Sequence, residues 1–240
     1  MINKDYLVSR IKDPYDIWII DNFFNEETLN KIQEQWLDND SEKWHSERCM
    51  VAGQDNILEH RMLAISKIQD APHFIAIVWQ YLHSNAFVDL VSDITKITEL
   101  KRDSTMRWSG MRVMLPESYQ LIHSDARKHP ETGLRKEITC LLYFNENYNR
   151  ETHEGCLEIW NDNMTKCIHE IEPINNRLVM FKNSDTSYHG VPVVKKDRKA
   201  IICSIMKKAN CSERGFAEFV CRPKDPEQVH SMGKNRGEGK

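Results

Sequence analysis

Between Trp108 and Lys208 short β-rich runs alternate with turn chemistry, and this alternation limits the folds open to the chain more than any other feature. The pattern predicts strands near 110–115, 120–125, 138–145, 156–160, 166–171, 177–182, 188–194 and 199–206. Turn signals separate them: Pro116-Glu117-Ser118, Pro130 to Gly133, Asn145 to Gly155, and Asn183-Ser184-Asp185. So many short strands in about 100 residues imply two sheets folded into a jelly-roll barrel.

The flanks read differently. Residues 1 to about 105 are expected to be mainly helical support. Ile17 to Ile20 form a short apolar run that suits a strand, and Asn25-Glu26-Glu27 then opens a helix with Asn25 as N-cap and acids in its first turn. Leu29, Ile32 and Trp36 recur behind it at helical spacing. Pro72 to about Thr95 predicts one helix or a pair, with Ile75, Val78, Leu82, Phe87, Leu90 and Ile94 apolar. From about 209 the periodicity is lost, and the end, SMGKNRGEGK, is polar and expected to be disordered. The whole, 1–240, reads as one α+β domain with a mainly β core.

The chain has 40% hydrophobic and 29% charged residues and a net charge of -3. That balance gives no electrostatic reason to expect nucleic acid or an anionic membrane as partner. The seven cysteines, Cys49, Cys140, Cys156, Cys167, Cys203, Cys211 and Cys221, form no CxxC pair, which argues against a zinc knuckle. They fit a reduced, cytoplasmic setting. The first residues carry no apolar h-region and no run of 18 apolar residues occurs, so neither a signal peptide nor a membrane span is expected.

Within the β-rich stretch stands His123-Ser124-Asp125. Residues i and i+2 of a strand share a face, so an imidazole and a carboxylate project side by side. A second imidazole, His189, begins a later strand. Two His and one carboxylate on one face of an octahedron leave three positions open, as non-haem Fe(II) oxygenases require. The triplet alone is cheap: 10 His and 16 Asp supply about 0.7 such triplets by chance. His45-Ser46-Glu47 and His129-Pro130-Glu131 make the same point, and Pro130 argues against a central strand in the second. Nine residues after His189 comes Arg198. A guanidinium stays charged when desolvated and binds a carboxylate bidentately. It also belongs to a basic cluster with Lys195, Lys196 and Lys199, so a surface role is open as well.

With these residues in hand, positions 108–208 resemble the catalytic core of the 2-oxoglutarate/Fe(II) oxygenase superfamily, on its prolyl-4-hydroxylase-like branch. The motifs fall in order: His123-Ser-Asp125, Ile138-Thr-Cys-Leu-Leu-Tyr-Phe-Asn145, Glu154-Gly-Cys-Leu-Glu-Ile-Trp160, Asn176-Arg-Leu-Val-Met-Phe181, and His189-Gly-Val with its spacing to Arg198. Ile19-Ile-Asp-Asn-Phe-Phe24 followed by a helix also resembles this branch. The resemblance implies a double-stranded β-helix with supporting N-terminal helices. It implies His123, Asp125 and His189 as iron ligands and Arg198 as the anchor for the far carboxylate of 2-oxoglutarate. Tyr143 is implied as a hydrogen-bond partner of that carboxylate, and Thr139, on the same strand face, joins the cosubstrate-binding set. Three positions depart from the family pattern: Glu154 replaces the first Gly of a pair, Ala200 stands where Ser is usual, and Leu115 stands where some prolyl hydroxylases carry Tyr.

The implied activity is hydroxylation of an unactivated C–H bond with Fe(II), 2-oxoglutarate as cosubstrate and O2, with ascorbate as a stimulant. Asp125 favours hydroxylation over halogenation, since halogenating relatives carry Gly or Ala there. Trp108, Arg112, Arg127, His129 and Trp160 lie where a polar ligand or simple packing would use them, and segment 126–136 suits a lid. Its cations Arg127, Lys128, His129, Arg135 and Lys136 suit a carboxylate- or phosphate-bearing small molecule, such as an amino acid or a natural-product intermediate. A peptidyl-prolyl substrate is the alternative. Outside this class stand a cupin-like metal protein, which has no need of Arg198, and a silent barrel, which has no need of the ligands.

Overall fold

The computed structural model describes residues 1–46, 49–51, 54–56, 62–209, 214–220 and 222. In the N-terminal part, strands β1 (Leu7–Ile11) and β2 (Ile17–Asp21) lead into helix α1 (Glu26–Glu34). Asn25 caps α1 by accepting from the Thr28 amide at 3.0 Å, as its position predicts. Strands β3 (His45–Ser46), β4 (Cys49–Val51), β5 (Gln54–Asn56) and β6 (Met62–Ile65) come next. Helices α2 (His73–Leu82) and α3 (Asn85–Thr95) are a pair, divided where the Ser84 hydroxyl caps the second by accepting from the Phe87 amide. Strand β7 (Leu100–Arg102) closes this part. Residues 1–105 are therefore not mainly helical. Of their strands, β2 was legible in the apolar run Ile17 to Ile20, whereas β1 is almost wholly exposed and lacks an apolar alternation.

The barrel follows: β8 (Gly110–Met114), β9 (Gln120–Ser124), β10 (Arg135–Tyr143), a single turn α4 (Arg150–His153), β11 (Leu157–Trp160), β12 (Cys167–Ile171), β13 (Arg177–Lys182), β14 (His189–Val191) and β15 (Arg198–Lys207). Each expected strand is present. A further strand, β16 (Glu218–Val220), lies in the region expected to lose regular structure. The polar end of the chain lies outside the described residues.

The strands form a major sheet ordered β1-β2-β13-β10-β15-β8-β6-β3, with β7 also on β15, and a minor sheet ordered β12-β11-β14-β9-β16. Period-two alternation divides the major sheet into two faces. Ile138, Cys140 and Leu142 of β10, with Ile201, Cys203 and Ile205 of β15, point outward and bury Ile75, Val78 and Trp79 of α2 and Phe87 and Val91 of α3. Tyr143, Val179, Phe181 and Ala200 point inward and meet Leu157 and Ile159 of the minor sheet. The helices thus back one sheet, and the interior between the sheets holds the functional groups. Among the described residues no single helix is long and apolar enough to cross a membrane.

Candidate active site

The site begins with a register. His189 of β14 pairs directly with His123 of β9. Directly opposed residues of antiparallel strands project to one side, and the two rings lie 4.2 Å apart between centroids. Asp125, two residues past His123, joins them from the end of β9. One ligand atom from each of the three side chains lies within 4.8 Å of the others, and this is the only such group among the described residues. Of the competing triplets, His45 is exposed beside Ser66, Glu47 lies outside the described residues, and Glu131 is paired with Arg107 at the surface.

Hydrogen bonding fixes the donor atoms. His123 Nδ1 lies 2.9 Å from the Leu121 carbonyl, and His189 Nδ1 lies 2.9 Å from the Ser187 carbonyl. A carbonyl only accepts, so each Nδ1 carries the proton and each Nε2 keeps its lone pair for a metal. Burial, and then the neighbouring His189, push His123 down to about 3, against the pull of Asp125. Burial lowers His189 too. Burial alone would raise the Asp125 carboxyl, but Lys136, His189 and His123 and the hydrogen bond from Thr139 hold it well below the usual carboxylate range. The set is therefore two neutral imidazoles and one carboxylate, the protonation state that a divalent cation requires.

The carboxylate is oriented as well. Its Oδ2 accepts from Lys136 Nζ at 3.1 Å and from Thr139 Oγ1 at 2.9 Å. With its amide turned to satisfy both of its polar atoms, Asn183 donates to the same oxygen at 3.3 Å. Oδ1 is left on the side of His123 Nε2, 3.7 Å away. Thr139 thus sits against the acid of the triad.

Farther along the interior, Arg198 of β15 is buried. Its Nε donates to the Gly155 carbonyl at 2.8 Å, and its Nη2 donates to the Tyr143 hydroxyl at 2.9 Å, with the guanidinium 4.8 Å over the Tyr143 ring. Burial pushes the Tyr143 phenol up despite Arg198, so this partner stays neutral. Arg198 therefore belongs to no surface cluster; it is a buried cation whose described polar neighbours carry no negative charge. The backbone around it is tight. Gly155 has φ +74°, and a Cβ there would run into Val194. Glu154, the departure from the glycine pair, holds φ 52° and ψ -154°, a conformation that favours glycine.

The triad and Arg198 open onto one cavity of about 300 Å³, with Leu141, Leu157, Val191 and Ile202 among its apolar walls. Trp108 and Arg112 also line it, and so does Arg107. The other candidates lie elsewhere. Arg127 pairs with Asp185 at 3.6 Å. His129 is fully buried, with Thr105 Oγ1 at 2.9 Å and Asp103 at 3.5 Å. Trp160 packs with Ile122 and Tyr188. Segment 126–136 is not a free lid. Lys128 bridges to Arg135, β10 already begins at Arg135, and the Arg127 and Lys128 amides both donate to the Arg214 carbonyl. Of its cations only Lys136 reaches the cavity.

One contributor, Lys136, was expected in the lid and not beside Asp125, and another was missed. Lys136 has the wrong parity to share a face with Thr139, but a bulge between Lys136 and Ile138 turns it inward. Phe219 of β16 pairs in register with His123 and stacks on its ring at 5.1 Å. A three-residue strand in a segment without periodicity carries no sequence signal of its own.

Residues 110–206 match the family model of the 2OG-Fe(II) oxygenase superfamily. No curated protein sequence matches the chain. Among solved structures, a Pseudomonas putida prolyl-4-hydroxylase is similar with a TM-score of 0.58 and 15% identity, over 80% of this chain and 93% of that one. A Trichoplax adhaerens prolyl hydroxylase, in complex with a hypoxia inducible factor peptide fragment, has a TM-score of 0.57 and 20% identity over 80% and 83%. At these identities the structural likeness speaks for the fold.

Proposed function

We propose that this chain, whose residues 110–206 match the model of the 2OG-Fe(II) oxygenase superfamily, is a 2-oxoglutarate-dependent dioxygenase that holds its iron on His123, Asp125 and His189. Arg198 then binds the far carboxylate of 2-oxoglutarate. The observation that carries the reading is the meeting, in one cavity, of a His-Asp-His set with unprotonated donor atoms and a buried guanidinium that has no anion among its described neighbours. Fe(II), 2-oxoglutarate and O2 together supply the oxidation of an unactivated C–H bond, with succinate and CO2 as the other products.

The chain's own residues do the rest. The Leu121 and Ser187 carbonyls aim the two Nε2 atoms. Lys136 and Thr139 occupy Oδ2 of Asp125, so the carboxylate offers Oδ1 to the metal and leaves room for cosubstrate. Tyr143 holds the guanidinium of Arg198 in place by a hydrogen bond and by its ring face. The apolar wall of Leu141, Leu157, Val191 and Ile202 keeps water out and strengthens each charged contact.

For the primary substrate we favour a small polar metabolite with an anionic group. Besides Arg198, the basic side chains Arg107, Arg112 and Lys136 line the cavity, and Asp125 is the one acid among its described lining residues. Peptidyl-proline is the second reading, favoured by the prolyl hydroxylases among the structural neighbours. Succinate formation with Fe(II), screened across anionic metabolites and a proline-containing peptide, tests both. Stimulation by the peptide alone overturns the metabolite reading, and no Fe(II)-dependent succinate under any condition overturns the proposal.

A further inference from the structure

The strand that carries His123 is paired on both sides, and one of those sides is not part of the segment that matches the family. Toward β14, β9 makes only two registered pairs, His123↔His189 and Gln120↔Val191, with a register shift between them. Toward β16 it makes three consecutive pairs, Ser124↔Glu218, His123↔Phe219 and Ile122↔Val220. The family match ends at residue 206.

An arginine pins each end of this added piece. Arg214 Nη2 donates to the Ser124 hydroxyl at 2.5 Å and lies 3.3 Å and 3.2 Å from the Ser124 and Asp125 carbonyls. Its Nη1 donates to Glu218 at 2.7 Å. Its own carbonyl takes the Arg127 and Lys128 amides at 2.8 and 2.9 Å. The backbone of the His-Ser-Asp triplet and of the turn after it is thus gripped by one residue. At the other end, buried Arg222 donates to Glu158 of β11 at 2.5 Å and to the Gln120 carbonyl of β9 at 2.7 Å. Its guanidinium also occupies the space that a Cβ at position 190 would need, so Gly190, the neighbour of His189, lets the arginine come this close. Three strands of the minor sheet meet at that side chain. Between the pins, Phe219 stacks on the His123 ring, and Phe219 and Ala217 line the cavity.

We propose that residues 214–220 with Arg222 form a strap that sets the geometry of the metal-binding strand, with Arg214 and Phe219 as positioning residues for Asp125 and His123. The inference rests on the proposed metal centre. The strap adds a ring stack on one ligand, beyond its Leu121 hydrogen bond, and side-chain hydrogen bonds to the backbone of the other, beyond the irregular β9–β14 pairing. Groups that orient metal ligands are worth about 10- to 100-fold in metal affinity.

The test uses the full chain and Co(II) as a spectroscopic probe. Arg214→Met and Phe219→Ala are expected to weaken Co(II) binding about tenfold or more and to alter its visible spectrum, while Arg214→Lys recovers part of the affinity. Unchanged affinity and spectrum in both variants, with only a lowered melting midpoint, would overturn the inference and leave the strap a purely stabilising element. If Arg214→Met does not fold, Phe219→Ala decides alone, since it leaves both arginines in place. A wild-type chain that binds no Co(II) overturns the strap's role together with the metal centre, whereas binding that is indifferent to the variants overturns the strap alone.

Discussion

The two walls of the cavity are built to different standards. The wall with Arg198 and Thr139 belongs to the major sheet, where β10 and β15 run 9 and 10 residues and pair along almost their whole length. Helices α2 and α3 back that sheet with a continuous apolar layer. The wall with His123 and His189 belongs to the minor sheet, where β9 has 5 residues and β14 has 3 and their pairing is irregular. A long, doubly covered sheet fixes a side chain through the global fold. A short sheet fixes it through particular neighbours, and so His123 carries a strap besides its carbonyl partner, while Arg198 has its strand, Tyr143 and the Gly155 carbonyl.

The largest effect that can break this comparison is on the metal wall. His123→Ala, Asp125→Ala and His189→Ala are each expected to abolish substrate-dependent 2-oxoglutarate turnover, and Fe(II) is expected to bind one-to-one only in the wild type. Full activity in any one variant removes that residue from the ligand set. On the other wall, Trp79→Ala attacks the layer beneath the major sheet. Trp79 is fully buried there, and its loss is expected to cost about 3–5 kcal/mol in urea unfolding. A cost below about 1 kcal/mol would mean that the sheet does not depend on its helical backing.

Arg198→Ala probes the same wall from the cavity side. It is expected to raise the 2-oxoglutarate KM by about 1.5–3 kcal/mol equivalent while metal binding is retained. An unchanged KM would return Arg198 to a structural role. The smallest effect is local: Glu154→Gly relieves a positive φ beside the arginine's carbonyl partner and is expected to stabilise the chain by about 1 kcal/mol, read as a raised melting midpoint. No gain would mean that the Glu154 side chain offsets its own backbone cost.

Legibility in the sequence follows strand length and pattern. Strand β10 was plain because alternation such as Ile138-Thr139-Cys140-Leu141-Leu142-Tyr143 reports both faces of a long strand at once, while β1, β3, β6 and β7 of the same sheet are short and went unread. His123, Asp125 and His189 were legible through i, i+2 parity and motif order. Parity failed at Lys136, where one bulge reverses the facing of everything before it. It was silent at β16, whose significance lies in what it pairs with and not in its own pattern. Segment 126–136 misled for a related reason: a run of cations reads as an open loop, while its backbone is tied to Arg214 and its side chains to Asp185 and Glu137.

One consequence of β16 reaches beyond the cavity. The minor sheet ends at β12 on one side and at β16 on the other, so β9 is an interior strand only because residues 218–220 lie beside it. A chain shortened before Arg214 would present β9 as a bare edge, with a row of unsatisfied amides and carbonyls flanking the aromatic face of His123. Such edges recruit one another. Loss of the C-terminal part would therefore announce itself first as self-association and poor solubility, before any assay of chemistry could be run.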